Sequence, residues 1–337
     1  MLIKFAIIGC GHIANRHALH INNHEHAELI GVYDKDVPVA KKFAEKFNTD
    51  SFDNYEQFSK LDADIVVVCT PSGLHKEHAI ESLLNNKNVL VEKPMSLSFS
   101  DALEMQNTAL QVNKELFVVK QNRYNPPVQK VKDELDKGNF GEIFQVVVNC
   151  FWNRNEIYYE NSSWKGTKNL DGGVLYNQFS HFIDIVFYLF GSLKNPNGII
   201  RNCNHKDSTE FEDSGNFNFV LGESILGSLN FSTNSFQQNM EGSITIIAEN
   251  ATVKIGGKYL NAIEYLKSDK VEIENIPISA PANNYGYYEG SMSNHDKIID
   301  NVVRTLQGKE QIMTTAADGV EVVKMIEELY ASAKEIK

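Results

Sequence analysis

Cysteine is scarce and scattered. Four residues, Cys10, Cys69, Cys150 and Cys203, occur in 337 without a CxxC pair, which argues against a disulfide framework and provides no zinc-ligand spacing. No metal centre is expected, and a reducing compartment, the cytoplasm, suits such a chain. Long apolar runs are missing too. No stretch reaches the roughly 18 apolar residues of a membrane helix. The apolar opening MLIKFAIIGCG is short and runs into a glycine turn instead of a cleavage site, so no secretory leader is expected. Positive charge is in deficit: 32 Lys and Arg against 44 Asp and Glu give a formal net charge of -12. With no global positive field, neither nucleic acid nor an anionic membrane is an expected partner, and an anionic ligand has to be met by local cations.

The residues that remain are those of a globular protein, 42% hydrophobic and 23% charged, and the length exceeds what one core usually organises. Two domains follow. Apolar, β-branched runs at Leu2–Ile8, Glu28–Tyr33, Asp64–Cys69, Val89–Val91 and Leu116–Val119 alternate with helix-compatible stretches at Ile13–Asn22, Val37–Phe47, Leu74–Leu84 and Ser98–Val112. That alternation implies βαβ units and a parallel sheet covered on both faces. After about Lys120 it changes. Pro126 and Pro127 open a helix, Ile143–Phe151 reads as a strand and Val174–Leu189 as one helix. From Gly198 to Ile276 come strand-like runs at Phe217–Leu221, Ile225–Phe231, Ser243–Ala248 and Ala251–Ile255, separated by Gly, Asn and Ser, which predicts a mostly antiparallel sheet. Helical patterns at His295–Leu306 and Ala316–Ala333 end the chain. The expectation is an α/β protein with domains at 1–121 and 122–337, the C-terminal helix packing back on the first.

Gly9-Cys10-Gly11-His12-Ile13-Ala14 follows a predicted strand and opens a helix, the context that gives a GxGxxG/A pattern its meaning. Gly9 permits the turn, Gly11 lets the backbone approach a pyrophosphate, Ala14 permits close helix packing, and the helix N-terminus offers free N–H groups. Asp34 ends the second strand about 20 residues on, where a ribose-binding carboxylate belongs; it favours NAD over NADP by repelling a 2′-phosphate. Thr70 and Pro71 stand at the carboxyl end of the Asp64–Cys69 strand, the edge where ligands sit in such sheets. This predicts a Rossmann domain.

Glu92-Lys93-Pro94 closes the fifth strand, and with the fingerprint, Thr70-Pro71 and His75, Trp164-Lys165, Asp171-Gly172-Gly173 and His181 it resembles the Gfo/Idh/MocA oxidoreductases over nearly the whole chain. The resemblance implies NAD as cofactor, held by Gly9, Gly11, His12, Ile13, Asp34, Thr70, Pro71, His75, Glu92, Lys93 and Gln121. It implies Lys93 and His181 as the catalytic pair, either of which could be the base. The residues agree: a lysine at a parallel strand's carboxyl end can point into the ligand crevice. Asn177 and His181 are four apart, which places them on one helix face, and Asp184 is three further on and could orient the imidazole. Where many relatives carry aspartate this chain has Asn177, which positions a hydroxyl but takes no proton. Lys165 stands where many have arginine.

Gln121-Asn122-Arg123-Tyr124-Asn125-Pro126, Trp152-Asn153-Arg154, Tyr158-Tyr159, Trp164-Lys165-Gly166-Thr167 and Asn177-Gln178 are similar to a narrower subgroup, the WlbA/WbpB-type 3-dehydrogenases of UDP-N-acetylglucosaminuronate, which serve bacterial surface-polysaccharide (lipopolysaccharide O-antigen) synthesis. That resemblance implies a nucleotide-sugar substrate oxidised at C3 and bound by Lys93, Arg123, Tyr124, Arg154, Tyr159, Trp164, Lys165, Asn177 and His181. It also implies a 3-keto product consumed by an aminotransferase, with NADH in some members reoxidised by 2-oxoglutarate. Arg123, Arg154, Lys165 and Lys168 are the cations available to a diphosphate and a carboxylate, Arg123 foremost because it follows the last strand of the first domain. Two readings stand beside this one: a dehydrogenase of a free polyol or monosaccharide, and a non-catalytic NAD-binding regulator. A homo-oligomer, dimer or tetramer, is expected from the antiparallel sheet's open face.

Overall fold

Ile3–Ile8 is apolar but for Lys4, and in the computed structural model it becomes a central strand of a sheet. The structure describes residues 1–336 except 274, 275, 278, 280, 285 and 287; positions 274 and 275, at the end of the region read as strands, thus lie outside the described residues. By contacts the chain divides into two units, Met1–Lys120 with His295–Val323, and Gln121–Asn294 with the residues from Lys324 onward.

In the first unit the order is β1 (Ile3–Ile8), α1 (His12–Asn22), β2 (Ala27–Tyr33), α2 (Val37–Phe47), β3 (Ser51–Phe52), α3 (Tyr55–Ser59), β4 (Ile65–Val68), α4 (His75–Leu84), β5 (Asn88–Val91), α5 (Phe99–Gln111) and β6 (Leu116–Val118). The strands are parallel and lie in the order β3-β2-β1-β4-β5-β6. The order reverses beside β1, and ligands of such sheets sit outside the carboxyl ends at that switch point. Local chemistry sets the helix ends. Asp36 accepts from Val39 N–H at the start of α2 and Ser98 from Asp101 N–H at the start of α5, while Asn48 ends α2 in the left-handed region with φ 53°.

The second unit runs through α6 (Pro126–Asp136), β7 (Ile143–Phe151), α7 (Glu156–Glu160), α8 (Val174–Asn177), α9 (Ser180–Phe190), β8 (Leu193–Arg201), β9 (Ser214–Leu221), β10 (Ile225–Ser232), β11 (Glu241–Ala248), β12 (Ala251–Gly256), β13 (Ala262–Ser268), β14 (Ala282–Asn284) and β15 (Glu289–Met292). After α10 (His295–Leu306) and α11 (Ala316–Ser332), β16 (Ala333–Glu335) joins its sheet. The large sheet has the order β13-β12-β11-β7-β10-β9-β8-β16 and is antiparallel except at β7/β10 and β8/β16. Its inner face presents Val146, Val148, Leu229, Phe231, Ile244 and Ile246, all buried, and α9 is buried almost all round. Phe179 meets Phe231 at 5.5 Å and Phe182 meets Trp152 at 5.5 Å between ring centroids. Each fully buried aromatic side chain contributes about 1.5–3 kcal/mol.

Segment 295–323, assigned by the element pattern to the second domain, packs with the first. Ile298, Ile299, Val302 and Val303 form the buried face of α10, which lies on α1. At the start of α11, a Cβ on Gly319 would stand 2.6 Å from Met95 Sδ, so the helix approaches the sheet through that glycine.

Candidate active site

Gly9 follows β1 with φ +89°, a conformation that L side chains rarely adopt. A Cβ there would lie 2.8 Å from the carbonyl carbon and oxygen of Cys69, so the turn is drawn against the end of β4. Gly11 caps α1, and a Cβ on it would meet nothing within 4 Å. No side chain caps this helix; its first N–H groups and the positive end of its dipole face that open space, beside His12 and Ile13. Ala14 is fully buried. One oxygen of Asp34 accepts the Cys10 N–H at 2.8 Å and the other the Asp36 N–H at 2.9 Å. The carboxylate is thereby fixed at the turn with acceptor capacity left over. Open space before an uncapped helix N-terminus, flanked by a fixed acid, fits a dinucleotide: pyrophosphate on the N–H groups, ribose hydroxyls on Asp34.

Thr70 and Pro71 follow β4 at the same edge, with the Thr70 hydroxyl 3.1 Å from His78 Nδ1. Lys93 is half-buried just beyond β5, joined to Pro94 by a cis peptide. His75 and Glu92, expected to hold the cofactor, have their side chains engaged within the protein. The His75 ring is buried between two main-chain oxygens, Pro94 O at 2.7 Å from Nδ1 and Thr70 O at 2.9 Å from Nε2. Burial lowers its pKa, and a neutral ring donates to one of the two oxygens. The carboxylate of Glu92 turns inward to His17 Nε2 at 2.7 Å and to its own neighbour's main chain, Lys93 N–H at 3.1 Å.

Gln121 belongs to the second unit, where its buried amide donates to Ser291 Oγ at 2.8 Å. Arg123, the first choice for the substrate's carboxylate, is committed elsewhere. Its Nε and an Nη donate to the two oxygens of Asp184 at 3.0 and 2.7 Å, both side chains being 2% exposed. A buried guanidinium needs such a partner, so Asp184 neutralises Arg123 and its oxygens are engaged there. Tyr124 follows, half-buried.

Arg154 is buried with its guanidinium over Trp152, Tyr158 and Tyr288 at 5.0–5.2 Å. It donates to Asn153 O and Asn239 Oδ1, and its Nε has no hydrogen-bond partner among the described residues. Lys165 Nζ lies 3.8 Å from the ring centre of Tyr158 and 5.0 Å from that of Tyr288. Two cations thus share two aromatic walls. Trp164 is half-buried. Tyr159, expected to contact substrate, is buried and packed edge-on against Tyr158 and His205. Lys168 is exposed, with its main-chain N–H on Glu210.

Asn177 ends α8 and His181, buried, is the second residue of α9. The single helix read from their spacing is broken: Phe179 N–H reaches back five residues to Val174 O, and Phe182 N–H only three to Phe179 O. The amide nitrogen of Asn177 donates to Asp171, a fully buried acid that also accepts the Gly166 N–H at 2.8 Å. Behind α8, Tyr330 donates to Glu212 at 2.6 Å and accepts Leu175 N–H at 3.1 Å, and a Cβ on Gly173 (φ +132°) would strike its hydroxyl at 2.2 Å. Burial pushes Glu212 up to about 7, against the Tyr330 and Val174 hydrogen bonds. Sequence reading missed His17, His295, Glu212, Tyr288 and Tyr330. The last three are remote in the chain from the groups they serve, and only His17, one turn beyond the fingerprint, carried a local signal.

Residues 3–120 match the model of an oxidoreductase family with an NAD-binding Rossmann fold, and residues 132–337 that family's C-terminal alpha/beta domain. The WlbA dehydrogenase of Bordetella pertussis, solved with NADH and UDP-GlcNAcA, is 30% identical with TM-score 0.88, covering 98% of this chain and 96% of that one. Its counterpart from Chromobacterium violaceum, with the same two ligands, is 33% identical with TM-score 0.89, covering 98% and 93%. Glucose-6-phosphate 3-dehydrogenase of Bacillus subtilis is 33% identical over 192 residues, 56% of this chain and 54% of that protein. The chain spans about half the length of the first curated relatives it matches.

Proposed function

The chain belongs to the Gfo/Idh/MocA family of NAD-binding oxidoreductases, and from that premise we propose that it oxidises the C3 hydroxyl of UDP-N-acetyl-D-glucosaminuronate to the 3-keto sugar. The observation that carries the substrate class is the pair of cations, Arg154 and Lys165, on the shared walls of Tyr158 and Tyr288. Like charges so placed repel, and an anion between or beside them turns that cost into attraction. In a chain of net charge -12 such a concentration of cations marks an anionic ligand. Likeness to two dehydrogenases solved with UDP-GlcNAcA supports the same choice. The Bacillus subtilis relative is named for oxidation at the same carbon of another anionic sugar.

In this reading Arg154 or Lys165 meets the sugar's carboxylate, and Asn177, oriented by Asp171, accepts the reacting hydroxyl. Lys93 or His181 takes the hydroxyl proton as the C–O bond becomes a carbonyl. NAD bound at the fingerprint supplies the acceptor for the hydride from C3. The proposed substrate and cofactor suit a cytoplasmic step toward surface polysaccharide. A homo-oligomer belongs to the same reading: the outer face of the large sheet carries uncharged Val147, Asn149, Asn216, Asn218, Asn230 and Thr245, incompletely buried, a surface suited to a second copy.

The test is NADH formation, followed by its absorbance, on adding UDP-N-acetylglucosaminuronate, free glucuronate or inositol, with the oxidised carbon assigned by NMR. The nucleotide sugar is expected to react at C3. Oxidation of the unlinked compounds alone would overturn the reading in favour of a polyol dehydrogenase, and no oxidation of any would favour a regulator.

A further inference from the structure

Three buried ionisable groups of the first unit have no place in the reaction just described. His17 lies within α1, Glu92 follows β5, and His295 is the first residue of α10. His17 Nε2 stands 2.7 Å from Glu92 Oε1, and His295 Nε2 3.7 Å from the same oxygen. The two imidazoles meet edge to face, 5.2 Å between centroids. The other oxygen of Glu92 accepts the main-chain N–H of Lys93 at 3.1 Å.

We propose that His17 and His295 are positioning residues: they hold Glu92 as a buried carboxylate, and Glu92 fixes the main chain from which Lys93 reaches the substrate. The proposal rests on the reading of Lys93 as a reacting group. Lys93 is bracketed in this way from both sides, since Pro94 O, the next carbonyl along, is bound to the buried ring of His75.

A carboxylate buried this far is costly unless donors surround it. Burial pushes the Glu92 pKa up, yet the His17 hydrogen bond and the His295 ring nearby prevail and hold it well below the usual carboxylate range. Other groups that face the cluster are Cys69 at the end of β4, His75 on α4, and Arg16 and His20 on α1, the last also beside Asp296. The triad also has the composition of a metal site, with ligand atoms within 4.8 Å of one another. Two features favour the positioning role. The 2.7 Å contact is a hydrogen bond, with a proton where a metal would need the His17 lone pair. The Nδ1 atoms of both rings have no hydrogen-bond partner among the described residues, whereas metal-bound histidines almost always engage that nitrogen.

The experiment compares His17→Leu, His17→Gln and Lys93→Met in the full chain, with NADH binding by fluorescence, kcat and KM for UDP-N-acetylglucosaminuronate, and the pH profile of kcat. His17→Leu removes the donor; His17→Gln returns an N–H near the place of Nε2. The expected result is a fall in kcat of about 10²-fold in His17→Leu, the size of effect a displaced catalytic group produces, with KM and NADH binding little changed and most of kcat restored in His17→Gln. With the donor gone Glu92 takes up a proton at higher pH, so the acid limb of the profile moves upward. Should His17→Leu fail to fold, His295→Leu takes its place in the same comparison. A wild-type kcat and profile in the leucine variant would overturn the proposal. A stoichiometric metal in the purified wild type, measured by elemental analysis, would overturn it as well. Near-normal turnover in Lys93→Met would instead remove the premise that Lys93 reacts, whatever the histidine variants do.

Discussion

The two ligand-bearing regions are built from different materials. The dinucleotide edge is made largely of main chain, Gly9, Gly11 and the uncapped start of α1, with the carboxylate of Asp34 beside it. The proposed sugar side is made of side chains: Arg154, Lys165 and Asn177, each held by a second residue behind it or packed against aromatics, and the buried His181. A backbone site needs glycine and a helix end, and it serves any substrate of the family. A side-chain site can be changed residue by residue, so specificity resides there.

The largest effect is expected at the reacting groups. Lys93→Met should keep the fold and NADH binding and lower kcat by about 10²-fold or more, the usual size of a general acid–base contribution; steady-state NADH formation measures it, and near-normal turnover would take Lys93 out of the mechanism. Next comes Lys165→Met, a half-buried position whose loss spares the core. It should raise KM for the acidic sugar roughly 10- to 10²-fold, the equivalent of one charge-assisted hydrogen bond, and leave KM for NAD unchanged. An unaltered KM would assign the anion to Arg154 alone. On the backbone side Asp34→Ala should weaken NAD binding by about 10-fold and relax the preference over NADP, measured by titrating both cofactors; equal loss for both would deny Asp34 its discriminating role. The smallest effect concerns Glu212. Its folded pKa of about 7 exceeds the unfolded value of 4.5, so its contribution to stability is complete below 4.5 and is lost as pH rises toward 7. Glu212→Gln should remove that part of the slope of Tm against pH. Parallel slopes in the two proteins would show that the acid does not titrate there.

Much of the first unit was legible because βα periodicity is local: the α2 boundaries read from apolar spacing are those observed. β3 escaped because two residues carry no period. In the second unit β8 was hidden by Pro196, which sits at a register shift between Lys194 and Asn197. β13 was hidden by its mixed edge sequence AIEYLKS, and β16 by following α11 without a break signal. The fingerprint and Asp34 could be read since their spacing is itself the signal. Which cation is spoken for could not, because neutralisation of Arg123 by Asp184 joins residues 61 positions apart. His75 and Glu92 stood at the right sheet edge, but whether a side chain turns toward the crevice or the core is decided by partners such as His17, supplied from other elements.

The central claim, that an anionic nucleotide sugar is recognised by cations on the side-chain half, is tested most directly by single-turnover NADH formation with UDP-N-acetylglucosaminuronate and UDP-N-acetylglucosamine side by side. The two sugars differ only where the first carries a carboxylate. Loss of one or two charge-assisted hydrogen bonds predicts that the neutral sugar reacts roughly 10- to 10⁴-fold less efficiently. Equal efficiencies for the two would contradict it.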